Sequence, residues 1–492
     1  MRRIIASVLP AIFLLAFTVL ALIFVFSLGI GCGDDAWHAV IAKNLADGLG
    51  YTSTIQTGRD AYVALRFDPL VGTGPTVIIP ASLVIRLVGN TFWAPGISHV
   101  LLWVSLFVSI GLLVRRYQAG FGLSFATFSF LYLSYALMTY HYEQWYALLG
   151  EVPAALLIIL SVLIYFENNS KSTRLLSGVA MSLAVLAKFV SIFAFSTFLL
   201  VAATLYIVER TGEGFKAAAR DAIYFTAGFI IPFVAFEIWK FVSLGPAEFI
   251  HSWQSFADFL RNQGVAHGPP RSLISLYKTR VSTLYERFGI TFQSVVFLLA
   301  LVGALVSRDK GIRRLYLTFT AMIIFYSVWW TFLSIGWARY YIIPLILVIG
   351  VASLPFLLPN STKWVWLYLA LLVIWPAYTW DRMGYPFSMI DRAFFEPSKE
   401  TKDLLKASSI LSQAGQEKVI TEWWATAANL EYMSGSHLIF TTYRDKTQRH
   451  TSPYWIAADT KFVDPNDKEF KEMLSKCEGL KEVGGYLVGR CE

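Results

Sequence analysis

At 492 residues the chain is long enough for two to four soluble domains, but its composition excludes that organisation. Hydrophobic residues make up 56% of it and charged residues 15%, against about 25% charged in an ordinary soluble domain. With 38 Phe, 24 Tyr and 16 Trp, the balance describes a polytopic membrane protein with aromatic belts. A disordered, collagenous or disulfide-scaffold chain is excluded. The net charge of +8 sits mostly in short loops between apolar runs, with no zinc finger, basic stripe or RNA-binding signature. Nucleic acid is therefore not an expected partner.

Apolar runs of roughly 17 to 25 residues read as membrane spans. They lie at 4–30, 93–114, 121–140, 146–166, 222–242, 290–306, 315–332, 340–358 and 364–380. The stretch 175–208 is too long for one span, and Lys188 divides it. That predicts two short helices with the lysine near one membrane face. The first run follows Arg2 and Arg3, and its apolar core is too long for a signal peptide. An uncleaved helix with its N-terminus inside is expected.

Basic clusters at Arg115-Arg116, Lys171 with Arg174, Arg210 with Lys216 and Arg220, and Arg308 to Arg314 mark cytoplasmic loops. Parity then allows one span between the first run and Arg115. Segment 77–88 follows Pro75, contains Pro80 and carries Arg86, so it is assigned to the outer interface. About 11 spans result, with the C-terminus outside and three external segments, 31–92, 243–289 and 381–492.

The expected fold class is an all-α polytopic membrane domain over 1–380 with a small extracytoplasmic α/β domain over 381–492. Within the latter, 402–413 reads as an amphipathic helix, 418–424 as a strand and 467–475 as a helix. Residues 482–490 read as a closing strand or hairpin around Gly484-Gly485. Cys477 and Cys491 fit either a disulfide, in an oxidising compartment, or two unpaired thiols.

Five stretches place chemistry at one membrane surface. Asp34-Asp35 stands where the first span meets the outer face, before an amphipathic helix that two acids would also cap. Asp68-Pro69 follows Arg66-Phe67 in a turn-forming run. Glu151 lies just inside the outer end of a span, where a carboxylate is costly and usually functional. Lys188 sits between two apolar helices, and Arg339 opens a span in Trp337-Ala338-Arg339-Tyr340-Tyr341. Snorkelling or interface anchoring accounts for either cation taken singly. Four acids and two bases from five segments at one face point to a common cavity.

Together these residues resemble the GT-C integral-membrane glycosyltransferases, in the branch of lipid A aminoarabinose transferase and the protein O-mannosyltransferases. The acidic pair after the first span matches in spacing at Asp34-Asp35 with Ile41, Ala42 and Leu45. A Phe-Glu-Lys-Pro-like element corresponds to Phe67-Asp68-Pro69, with Asp for Glu and the lysine missing. Glu151, Lys188, and Arg339-Tyr340 with Pro344 match in order and topology across 1–380. Where the family often has an arginine after the acidic pair, this chain has Ala36-Trp37-His38.

The resemblance implies an inverting transferase. It would move one sugar from a polyprenyl-phosphate donor to a hydroxyl of an envelope glycolipid, glycan or protein. The expected location is the outer face of a bacterial inner membrane, among membrane lipids. It also implies roles. Asp34, then Asp35, would be the base; Lys188 and Arg339, with Arg271, Lys278 and Arg280 as mobile cations of an external loop, would hold the donor phosphate. Asp68 and Glu151 would orient the acceptor or hold a divalent cation. No P-loop or Rossmann fingerprint is present, so no nucleotide cofactor is expected. The 243–289 loop, with Gly264, Gly268, Pro269 and Pro270 between helices at 247–261 and 273–285, could close over the donor. A lipid-linked sugar flippase or transporter is the competing class, and it predicts two similar halves with broken helices near the midplane. A glycan ligase or polymerase using a pyrophosphate carrier shares the membrane location.

Overall fold

The computed structural model describes residues 2–30, 33–53, 65–69, 71–117, 142–168, 170–208, 214–262, 272–288, 298, 301, 310–353, 396–415, 417–435, 439–442, 453–464 and 466–491. Predicted spans 121–140 and 364–380, most of 290–306, and Arg271 lie outside them. So does the expected domain boundary near 380.

Helix α1 (Arg2–Leu28) ends at Gly29, whose positive φ of 65° closes the last turn. The chain then turns by 87° into α2 (Gly33–Ala46). Helices α3 (Pro75–Val88), α4 (Ala94–Tyr117) and α5 (Glu151–Glu167) follow. As expected, the long apolar stretch is two helices, α6 (Lys171–Ala187) and α7 (Ile192–Val208), broken at Lys188. The bundle continues with α8 (Gly214–Leu244), α9 (Pro246–Asn262), α10 (Leu273–Phe288), α11 (Lys310–Phe332) and α12 (Ile342–Ser353). Among the described residues, Ala94–Leu113, Lys216–Leu244 and Arg313–Phe332 are long and apolar enough to cross a membrane. The bent pair Leu14–Leu28 with Gly33–Ala46 makes a fourth candidate.

The structure corrects the reading of α2. It is not amphipathic: every residue from Asp35 to Asn44 is buried. Trp37 packs on Trp424 at 5.4 Å, and α2 has protein on all sides.

The C-terminal region is an α/β unit. Helix α13 (Lys399–Leu411) is capped by Ser398, which accepts from Thr401 N at 3.2 Å. Strand β3 (Lys418–Thr421) is shorter than predicted, because Trp424 already begins α14 (Trp424–Ser434). Strands β4 (Ile439–Thr442) and β5 (Tyr454–Asp459), helix α15 (Lys468–Leu474), and the hairpin β6 (Cys477–Val483) and β7 (Tyr486–Cys491) complete it. A separate small pair, β1 (Thr52–Ser53) and β2 (Leu65–Arg66), lies in the 31–92 segment. The main sheet order is β4-β3-β5-β7-β6, with β3 parallel to both β4 and β5, and β7 antiparallel to β5 and β6. Cys477 and Cys491 face each other across the hairpin and form a disulfide.

Strand alternation gives the sheet two buried faces. Ile420, Ile456 and Ala458 pack with Phe470 and Met473 in a local core. Val419, Ala457 and Val488 join α13 and α14 in a core continuous with Phe24 and Trp37 of the helical bundle. The junction is polar as well as apolar. Lys43 Nζ lies 3.8 Å from the Glu431 carboxylate with both side chains buried, and donates to the Glu431 carbonyl at 3.4 Å. Ser398 N donates to Ser27 O at 2.6 Å, and Tyr432 Oη to Thr91 O at 2.9 Å.

Removing one partner of a buried ion pair strands the other, at a cost of about 3–5 kcal/mol. Lys43→Ala is therefore expected to lower the thermal midpoint of the detergent-solubilised protein sharply. Lys43→Met combined with Glu431→Gln should recover most of that loss.

Candidate active site

Helix α5 begins at Glu151, and α6 ends one residue before Lys188. The two ends meet because Gly150 has no side chain: a Cβ there would stand 2.2 Å from the Ala187 carbonyl. Lys188 Nζ lies 2.8 Å from Glu151 Oε1, and both side chains are buried. Residues 72–74 close the other flank. Gly74 N donates to Ala187 O at 3.1 Å, Thr73 bridges to Lys188, and a Cβ on Gly72 would lie 3.3 Å from Lys188 Nζ.

Arg339 stands on a short 3-10 turn (Ala338–Tyr341) before α12 and forms an ion pair with Asp34 at the start of α2. Their side chains are 24% and 26% exposed, so this pair is reachable where Glu151 and Lys188 are closed off. Tyr340 links the two pairs. Lys188 Nζ lies 5.7 Å from its ring centroid and the Arg339 guanidinium 5.5 Å, both within cation-π range.

Asp35 has a different position. Its Oδ1 accepts from Leu148 N at 2.6 Å, and His38 Nδ1 donates to Leu148 O at 2.8 Å. Two α2 side chains thus hold the turn that leads to Glu151. Adjacent carboxylates are separated by helix geometry into a reachable one and a buried one.

Asp68 lines a cavity of about 120 Å³ with Tyr51, Phe236, Glu237, Lys240 and Trp253. Phe67, just before it, has a φ of 50°, a left-handed conformation costly for a bulky residue. Stacking of Phe67 on Tyr51 at 5.3 Å and the hydrogen bond that its backbone N–H donates to Tyr51 O at 2.8 Å hold that conformation. Burial, then the charge of Asp68, push the Tyr51 phenol far above its usual range. Gly72 borders both this cavity and Lys188.

Of the predicted site residues, Asp34, Arg339, Glu151 and Lys188 converge, Asp35 supports them, and Asp68 lines the neighbouring cavity. Arg280 is anchored instead of mobile. It donates to the carbonyls of Ser334 at 3.1 Å and Ile335 at 2.8 Å, and lies 5.4 Å from the Trp330 ring. It fastens the turn leading to Arg339. Lys278 lies on α10, and the predicted flanking helices of the loop are α9 and α10; Gly264 to Pro270 lie outside the described residues.

Asp68 and Glu151 do not fit a shared divalent ion. Glu151 has an ammonium beside it, and no three His, Cys, Asp or Glu side chains converge among the described residues. Sequence reasoning missed Glu237 and Lys240. Trp253 Nε1 donates to Glu237 at 3.0 Å, and Lys240 lies 4.9 Å from the Trp253 ring. Both stand inside a predicted span, so the rule that singled out Glu151 applies to them too.

The architecture is similar to that of a solved structure. A structure of ArnT from Cupriavidus metallidurans bound to undecaprenyl phosphate matches over 98% of this chain and 97% of that one. The TM-score is 0.60 at 13% sequence identity. The chain has the GT-C fold. The apo form of the same ArnT matches with a TM-score of 0.58 at 11% identity over the same shares of both chains. A structure of the Archaeoglobus fulgidus oligosaccharyltransferase with zinc and sulfate is more remote. Its TM-score is 0.47 at 11% identity, covering 91% of this chain and 68% of that one. No protein-family model and no curated protein sequence matches the chain.

Arg280→Ala removes two charge-assisted hydrogen bonds, each worth about 1.5–3 kcal/mol. Hydrogen exchange across 333–341 should then accelerate more than tenfold in mass spectrometry, with Arg280→Lys in between.

Proposed function

We propose that the chain is an inverting glycosyltransferase that moves a single sugar from a polyprenyl-phosphate donor to a hydroxyl of an envelope glycolipid, glycan or protein. The observation that carries this reading is the reachable Asp34–Arg339 pair joined through Tyr340 to the closed Glu151–Lys188 pair. The GT-C fold supports it, since an ArnT structure with that fold is bound to undecaprenyl phosphate. The chain would sit in a bacterial inner membrane with this site facing outward.

In the reaction the acceptor oxygen attacks the anomeric carbon as the bond from that carbon to the donor phosphate breaks. The phosphate leaves with the bonding electron pair, so its negative charge grows. Arg339 and Lys188 stabilise that charge. Arrival of the donor phosphate gives Arg339 a stronger anion than Asp34, which frees the carboxylate to accept the acceptor's proton. Attack opposite the leaving group inverts the anomeric centre. Asp35 and His38 keep the 147–151 turn in place, so that Glu151 orients Lys188.

The test is transfer from radiolabelled polyprenyl-phosphate sugars to native membrane glycolipids by purified protein. Asp34→Asn should lose about 10²–10⁴-fold in turnover and still bind donor. Lys188→Ala should lose donor binding as well as rate. Donor crossing a vesicle membrane with no product formed would replace this reading by the flippase.

A further inference from the structure

The C-terminal sheet has a point of reversed strand order that the transfer chemistry leaves unused. From β3 the chain crosses to β4 on one side, then returns past β3 to β5 on the other. Connections leaving the carboxyl ends of β3 and β5 therefore diverge, and open α/β sheets bind ligands at such a point.

The residues at those two strand ends are acids. Glu422 directly follows β3 and Asp459 ends β5, with 6% and 9% exposure. Glu422 Oε1 accepts from Thr426 Oγ1, while the buried Oε2 has no hydrogen-bond partner among the described residues. Asp459 Oδ1 accepts from Lys461 N at 2.9 Å. Burial raises the Glu422 carboxyl to about 7, with Asp459 adding to the effect and the Thr426 hydroxyl and nearby amides opposing it. Near neutral pH it can donate or accept. Tyr486 lies opposite Asp459 in β7, within the field of both acids.

Two residues that closely follow these acids in sequence carry aromatic rings open to solvent. Trp423 and Phe462 are 43% and 53% exposed with centroids 5.4 Å apart. The start of α14, just beyond these strand ends, also adjoins α2. Trp424 packs on Trp37, and a Cβ on Gly33, the neighbour of Asp34, would stand 2.5 Å from Ala425.

We propose that this switch point, at the carboxyl ends of β3 and β5, is an acceptor subsite for a hydroxyl-rich sugar ring, stacked on Trp423 and Phe462 with its hydroxyls bonded to Glu422 and Asp459. The inference rests on the transferase reading for its role, though not for the binding itself. Aromatic faces suit the apolar face of a sugar ring, and carboxylates accept from its hydroxyls. The same acids repel phosphate. A hard cation would require six or more oxygen ligands, and no three His, Cys, Asp or Glu side chains are arranged to hold a metal ion among the described residues.

The experiment uses the full chain in detergent with a panel of methyl glycosides of glucose, galactose, mannose and N-acetylglucosamine. Saturation-transfer NMR should report contact with at least one of them. The signal should persist in Asp34→Asn, weaken about ten- to a hundredfold in affinity in Glu422→Gln, and vanish in Trp423→Ala. Trp423→Tyr, which keeps an aromatic face, should retain it and guards against a folding defect, as does an unchanged thermal midpoint. In transfer assays Glu422→Gln and Trp423→Ala should raise the acceptor KM with donor affinity unchanged. Absence of glycoside contact in wild type, or equal contact in Trp423→Ala, overturns the proposal even if transfer is observed. Trp423-dependent contact in a protein without transferase activity would uphold the subsite and overturn the transferase reading.

Discussion

Helix α2 is buried from Asp35 to Asn44 although it carries an acid, a histidine, a lysine and an asparagine. Burying such groups unpaired would be prohibitive, and each has a partner outside the helix. Asp35 and His38 hold both backbone groups of Leu148, and Lys43 meets Glu431. Asn44 donates to Thr52 O at 2.9 Å. The helix is therefore a strut whose polar side chains fix the turn before Glu151, the C-terminal unit and the 31–92 segment in one arrangement. Asp34 at its exposed end inherits that rigidity.

The second constraint is the buried Glu151–Lys188 pair. Desolvating two charges costs more than their attraction readily returns, so such a pair is weak evidence for stability. Under the proposed transfer, its placement at the start of one helix and the end of another prepares it for a third charge. Lys188 already faces Tyr340, which Arg339 also adjoins. A phosphate arriving between the cations would meet donors held in place beforehand, which is the economical route to stabilising charge in a transition state.

The C-terminal unit is more than an appendage on this site. Its helix α14 packs on α2, and the core runs without interruption from α14 into α1 and α2. One face of its sheet faces the membrane part through α13 and α14, while the other closes over α15. That arrangement brings the carboxyl end of β3 into the neighbourhood of Gly33 and Asp34. A unit docked this firmly can present an acceptor with little orientational freedom left to lose.

The sequence by itself determined the membrane class, the break at Lys188, the two helices within the 243–289 segment and the α/β character of the C-terminal region. Each follows from a local signal: apolar run length, a charge inside such a run, or periodicity within a dozen residues. It also marked Asp34, Glu151, Lys188 and Arg339, because charge at the edge of an apolar run is costly and stands out. Only the tertiary structure decided which of these meet. Asp34 and Arg339 are 305 residues apart, and no local pattern encodes their pairing. The same holds for the separation of Asp34 from Asp35, the commitment of Arg280 to the 334–335 carbonyls, and the burial of α2. Burial is a property of what packs around a helix, and Glu431, a partner of Lys43, lies 388 residues further along the chain.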